Sequence, residues 1–266
     1  MEIIMRLEQN AAKQDVRDGI LEQIKSELKE NRVSSYIVSL PASNWKFETK
    51  LITTLNCLYP DVKFTLHCFE VDNYTFDENT TGINQANLPF TIETREGYFV
   101  SGKCLNVEVI YQYGPLSVDD VKNGCEVRNQ RLIIWADYCG YPIDYPEKEM
   151  IPMKDLTFLL NNFSDALIYQ TNAVSLRHTR MQHGFNFSSG SPAYNSNQIL
   201  EYYRRNCPSR NRVRRCEVFK YLYKGGVPYD GSAPRTPMFT FGWRTGKKTA
   251  RHIKQVKQSY AGKELI

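Results

Sequence analysis

Short apolar runs that stop abruptly in polar clusters punctuate this chain. Tyr36-Ile37-Val38-Ser39-Leu40 gives way to Pro-Ala-Ser-Asn, KFTLHCFEVD ends in Glu70 and Asp72, and Leu132-Ile133-Ile134-Trp135-Ala136 halts at Asp137-Tyr138-Cys139-Gly140. Runs this short and this apolar, bounded by turn residues, belong to strands covered on both faces in a parallel sheet. Amphipathic text lies between them. Val16, Ile20, Ile24 and Leu28 recur at helical spacing within a helix over about 8–30, and Phe47, Leu51, Leu55 and Leu58 do so after PASN, where Ser43 or Asn44 can serve as the cap. Alternating strands and helices predict an α/β fold, a doubly wound and mostly parallel sheet with right-handed crossovers. In such sheets ligands bind beyond the carboxyl ends of the strands. Taken alone, the end of the third run fits two readings: a ligand site, or a turn cap at Asp137 beside a small core thiol at Cys139.

The remaining text extends this order. A further strand is expected at 105–114, a short helix from SVDDV, a helix in MKDLTFLLNNFS, a strand in ALIYQTNAVSL and a helix over about 195–206. Between them, about 73–102 is turn-rich and reads as an insertion with short β segments. The pattern then changes. EVFKYLYKG and PMFTFGWRT are aromatic-rich runs on either side of GVPYDGSAPRT and predict a C-terminal antiparallel hairpin. No internal repeat is present, so 1–248 is expected to form a single domain, followed by a basic tail at 249–266.

Charge is unevenly placed. Residues 201–266 carry 16 Lys and Arg against four acids, a balance of +12 that leaves −7 for residues 1–200 of a chain whose net charge is +5. Such asymmetry points to a polyanionic partner for the basic end, or to a solvated face and tail. The seven cysteines are odd in number and follow no disulfide or metal spacing, which predicts free thiols in a reducing compartment and no metal site. No window is apolar enough to span a membrane, and the amino terminus turns polar after five residues, so a cytoplasmic protein is expected.

The order of elements resembles the class I S-adenosylmethionine-dependent methyltransferases over roughly residues 33–245: a strand, turn and helix; a second strand ending in an acid; a fourth ending in Asp plus an aromatic; and a closing antiparallel hairpin. The resemblance implies a Rossmann-like methyltransferase fold with S-adenosylmethionine as cofactor. It places the cofactor against the first turn, Leu40, Pro41, Ala42, Ser43 and Asn44, with Glu70 accepting from the ribose hydroxyls and Asp72 in reserve. The fourth strand end, Asp137, Tyr138 and Cys139, would then be catalytic. Asp137 would accept from a target amino group, Tyr138 would stack on a planar substrate, and Cys139 could attack a pyrimidine ring as thiolate. Arg204, Arg205, Arg210, Arg212, Arg214 and Arg215 flank Tyr202 and Tyr203 and would hold nucleic-acid phosphates, with the tyrosines as stacking planes. The expected activity is methyl transfer to nucleic acid. The family's first turn is glycine-rich and this one holds no glycine, which leaves a second reading open: a catalytically inactive methyltransferase-like fold that binds nucleic acid or protein.

Overall fold

A computed structural model describes residues 11–41, 45–138, 151–173, 201–203, 205–206, 214–224 and 235–246. It divides into two compact units, one built on Leu21–Ala136 and the other holding Met1–Ile20 and Asp137–Ile266.

The first unit opens with the latter part of α1 (Ala11–Glu30), whose Ile20, Ile24 and Leu28 are buried as their spacing requires. Strand β1 (Ser35–Ser39) and helix α2 (Lys46–Leu58) follow, then β2 (Phe64–Glu70), α3 (Asn73–Thr80), a 3₁₀ turn (Ile83–Asn87), β3 (Thr91–Glu96), β4 (Phe99–Cys104), β5 (Val107–Tyr113), α4 (Val118–Arg128) and β6 (Arg131–Asp137). β1 pairs with β2 and β6, and β2 pairs with β5, all parallel. The order is β3-β4-β5-β2-β1-β6, so the chain works outward from β1 to β5 and then returns to the other side of β1. That reversal creates a switch point, and it puts helices on both faces. Phe47 of α2 packs on Trp135 with ring centroids 4.6 Å apart, whereas Gly124 of α4 lies against Tyr36, whose register partner is Leu132 and not Trp135. Because successive side chains alternate in a strand, these two contacts are on opposite faces.

The expected strands at 35–40, 64–70, 105–114 and 131–137 are all present. Every residue of β1 and β2 is buried, as the apolar runs foretold. Three expectations change. The cap of α2 is Trp45 rather than Ser43 or Asn44, and it makes no side-chain capping bond. Leu58, read as part of the apolar face of α2, lies exposed at the last turn. Within the insertion, a helix replaces the first of the expected β segments, because the Asp72 carboxylate accepts from Thr75 N at 3.0 Å and so starts α3. The later part of the insertion is the β3–β4 hairpin, which joins the edge of the parallel sheet through β4 and β5, antiparallel.

In the second unit, α5 (Pro152–Asn162) precedes β7 (Ala166–Ala173), and β8 (Arg214–Lys224) and β9 (Arg235–Arg244) form the closing hairpin. β9 pairs antiparallel with both β7 and β8. Residues 201–203 and 205–206 are helical. Tyr203 is buried there, edge-on to Phe241 and Trp243 at 5.6 and 5.4 Å. Among the described residues no helix is long and apolar enough to cross a membrane.

Candidate functional site

The carboxyl ends of β1 and β2 lie side by side, since Ser39 is in register with Cys68. Their geometry brings Leu40, Pro41, Glu70 and Asp72 to one end of the sheet. Ala42, Ser43 and Asn44 fall outside the described residues.

Beyond β1, the backbone does something unusual. Trp45 adopts φ 51, the left-handed conformation that a bulky residue rarely takes and glycine takes freely. Burial holds it there. The indole is fully buried, with ring centroids 4.9 Å from Tyr111 and 5.6 Å from Phe90. Its Nε1 finds no acceptor among the described residues. One turn later the buried Glu48 carboxylate accepts a short hydrogen bond from the Ser39 hydroxyl. Trp45 therefore holds a backbone conformation suited to glycine at the residue that precedes α2.

At the end of β2, Glu70 is nearly buried. Its Oε1 accepts from Asp72 N at 2.9 Å, and its backbone carbonyl accepts from Gly114 N at 2.8 Å. Tyr113 is its register partner on β5. Asp72 is committed to α3, with Thr75 Oγ1 donating to its carboxylate at 2.5 Å. Below Glu70 on the same face, burial, reinforced by the Glu48 and Glu70 carboxylates, pushes the Cys68 thiol well above its ordinary value, so it stays protonated. Burial likewise raises the Tyr111 phenol, which accepts from Asn79 at 3.1 Å.

The opposite face of the same sheet carries a polar chain that the sequence reading passed over. The Asp120 carboxylate only accepts, so the Gln112 amide nitrogen donates to it at 3.2 Å and turns its oxygen toward His67. His67 Nε2 therefore carries the proton and donates to Gln112 at 3.0 Å, leaving Nδ1 to accept from the Tyr36 hydroxyl at 2.7 Å. Burial pushes the His67 imidazole down to about 4, so it is neutral at ordinary pH. Burial raises the Tyr36 phenol. The Arg128 guanidinium covers the Tyr36 ring at 5.9 Å while binding Glu108 at 2.9 Å.

In the second unit Asp137 is half-buried, and the half-buried Tyr138 donates its hydroxyl to buried Asp155 of α5 at 2.5 Å. Tyr138 N donates to Thr171 O at 3.2 Å. Cys139 lies outside the described residues. Of the arginines, Arg205 is exposed in a helical turn. Arg214 and Arg215, read as loop residues, instead open β8 opposite Arg244 and Trp243, because the hairpin begins earlier than its aromatic run suggests. Arg204, Arg210 and Arg212 fall outside the described residues, as does the tail at 249–266. Tyr203, read as an accessible stacking plane, is core. Among the described residues no group of His, Cys, Asp and Glu is placed to hold a metal.

No family model matches the chain, and no curated protein matches it in sequence. Solved structures similar to it include a protein that converts a disulfide bond into a thioacetal group during echinomycin biosynthesis, 9% identical over 86% of this chain and 81% of that one with a TM-score of 0.42. Another is an S-adenosylmethionine-dependent methyltransferase from Anabaena variabilis, 11% identical over 88% and 93% with a TM-score of 0.37. A third is a 30S ribosomal methyltransferase from an uncultured bacterium, 12% identical over 85% and 93% with a TM-score of 0.35. The fold of the first unit is Rossmann-like. Its strand order carries that statement, and no activity, ligand or substrate passes from proteins this distant.

The described residues fit a nucleoside cofactor in kind. A carboxylate stands at the end of β2 with an aromatic residue in register beside it on β5.

Proposed function

We propose that the chain is a cytoplasmic S-adenosylmethionine-dependent methyltransferase acting on nucleic acid. The observation that carries this reading is Glu70, held by Asp72 N at the carboxyl end of a parallel strand next to the switch point. Glu70 would accept from the ribose hydroxyls, Tyr113 would flank the base, and the first loop from Leu40 to Asn44 with the start of α2 would hold the methionine end. The cofactor supplies an electrophilic methyl group. Asp137 would orient an acceptor amine, and Tyr138, its hydroxyl fixed by Asp155, would stack on the planar substrate. Arg204, Arg205, Arg210, Arg212, Arg214 and Arg215 would bind phosphates.

Methyl transfer asks mainly for alignment of two reactants, so few catalytic groups suffice. Calorimetry with S-adenosylhomocysteine tests the cofactor, and a ligand at a hundred times its Kd should stabilise the fold by about 2.7 kcal/mol. Oligonucleotide titration tests the partner. With about 4–6 phosphate contacts, the log–log salt slope on duplex DNA should be about −4 to −5.

A specific observation favours a second reading, a binding module without catalysis: the first turn, Leu40 to Asn44, holds no glycine, and the bulky Trp45 that follows it is fully buried. Nucleic-acid binding without any S-adenosylhomocysteine binding would select it.

A further inference from the structure

The inserted β3–β4 hairpin turns through Gly97 and Tyr98, with Gly97 at φ +58 as a tight two-residue turn requires. Tyr98 therefore stands at the tip, 61% exposed, and Phe99 beside it is 49% exposed. The Tyr98 ring is supported from beneath. The Tyr98 centroid lies 5.1 Å from Tyr113, and Tyr113 lies 5.9 Å from buried Phe76 of α3, so a row of aromatic rings climbs from the core to the surface. Arg95 Nη2 donates to Asp77 at 3.0 Å and ties the hairpin to α3. A supported, exposed aromatic row of this kind marks a contact surface.

Its surroundings decide the sign of the partner. Residues 70–104 hold six acids against Arg95 and Lys103. Arg95 is spent on Asp77, and Asp72, Glu93 and Glu96 are exposed. Phosphates would be repelled here. A lysine or arginine gains twice, from the ring faces and from the carboxylates beside them. We propose that the Tyr98–Phe99 hairpin tip docks a Lys/Arg-rich segment of a protein partner. This holds whether or not the chain binds S-adenosylmethionine.

The probe is a synthetic twelve-residue peptide alternating lysine and glycine, titrated into the full chain and followed by amide NMR shifts and calorimetry. Its lysine-acetylated form is the neutral twin. The proposal expects shifts centred on Arg95, Tyr98 and Phe99, and binding about tenfold weaker for the acetylated twin. Tyr98→Ala with Phe99→Ala should weaken binding about fivefold or more through loss of the ring faces. Glu93→Gln with Glu96→Gln should weaken it comparably. All four positions are exposed, and unchanged thermal melting identifies folded variants. Equal binding of the acetylated twin overturns the proposal, as do shifts elsewhere on the chain or an undiminished affinity in the ring variant. A twelve-nucleotide thymidine oligomer shifting the same amides more tightly than the peptide would overturn it in favour of nucleic acid.

Discussion

The two faces of the parallel sheet in the first unit are both buried along β1 and β2 and differ in the polar groups they hold. Under α4 the chain Tyr36, His67, Gln112 and Asp120 is closed: each donor meets one acceptor, and the imidazole at its centre is neutral. Under α2 and α3 the groups are carboxylates, Glu48 and Glu70, together with an indole N–H that has no acceptor among the described residues. A fully satisfied neutral network makes a core specific and costs little to keep. Unmatched donors and buried carboxylates cost stability, and folds retain them where a ligand is to be met. On the function proposed above, the first face would serve structure and the second would meet the ligand.

Acid should break the matched face first. His67 has an ordinary value of 6.5 and is lowered to about 4 in the fold, so between those values the unfolded chain binds a proton that the folded one refuses. Stability is therefore fully present above about pH 6.5, falls as pH drops through this window, and loses about 3 kcal/mol by pH 4 from this group alone. Urea melts of the native chain and of His67→Leu check it. The difference between the two curves should flatten above pH 6.5, and a difference independent of pH would show that the imidazole is not the group responsible.

The other face should respond to ligand. Glu70→Ala should weaken S-adenosylhomocysteine by about 1–3 kcal/mol through loss of charge-assisted hydrogen bonds. Calorimetry on a variant with native melting reads this directly. Unchanged affinity would remove the carboxylate from the cofactor site and, with it, the functional half of the comparison.

Much of this contrast was legible in the sequence, and the part that was not has a physical reason. The apolar runs around Ile37, Leu66 and Ile133 identify central strands because only strands covered on both faces can be so uniformly apolar. Glu70 stands out because a carboxylate ends such a run. His67 does not, since a histidine inside an apolar run looks the same whether or not it has partners, and its partners lie 31 and 45 residues away in the chain. Trp45 is invisible for a related reason. Local propensity favours the Ser and Asn before it as caps, and only tertiary burial against Phe90 and Tyr111 moves the helix start past them. The Arg214 and Arg215 strand start is similar, since basic residues weaken the strand signal while ladder pairing with β9 extends it.

A smaller perturbation probes how tightly the matched face is packed. A Cβ on Gly124 would lie 2.4 Å from the Tyr36 hydroxyl oxygen, which cannot retreat without losing His67. Alanine in mid-helix normally gains about 1 kcal/mol over glycine, and overpacking costs about 1–3 kcal/mol. Gly124→Ala should therefore be destabilising by up to about 2 kcal/mol in a denaturant melt, and a stabilised variant would mean that the network under α4 yields readily.

The smallest expected effect is the most discriminating. Trp45→Phe removes the unmatched indole N–H while leaving an aromatic ring against Tyr111 and Phe90 at the same left-handed backbone position. Deleting a buried unsatisfied donor recovers its desolvation penalty, and the smaller ring gives back part of that gain in lost burial, so stability should change by less than about 1 kcal/mol. If the N–H serves only the fold, nothing else changes. If it is kept for a ligand at the first loop, S-adenosylhomocysteine binding should fall severalfold while the melt stays put. A large loss of stability would instead show that the indole nitrogen is matched in solution, and the two faces would then differ in charge alone.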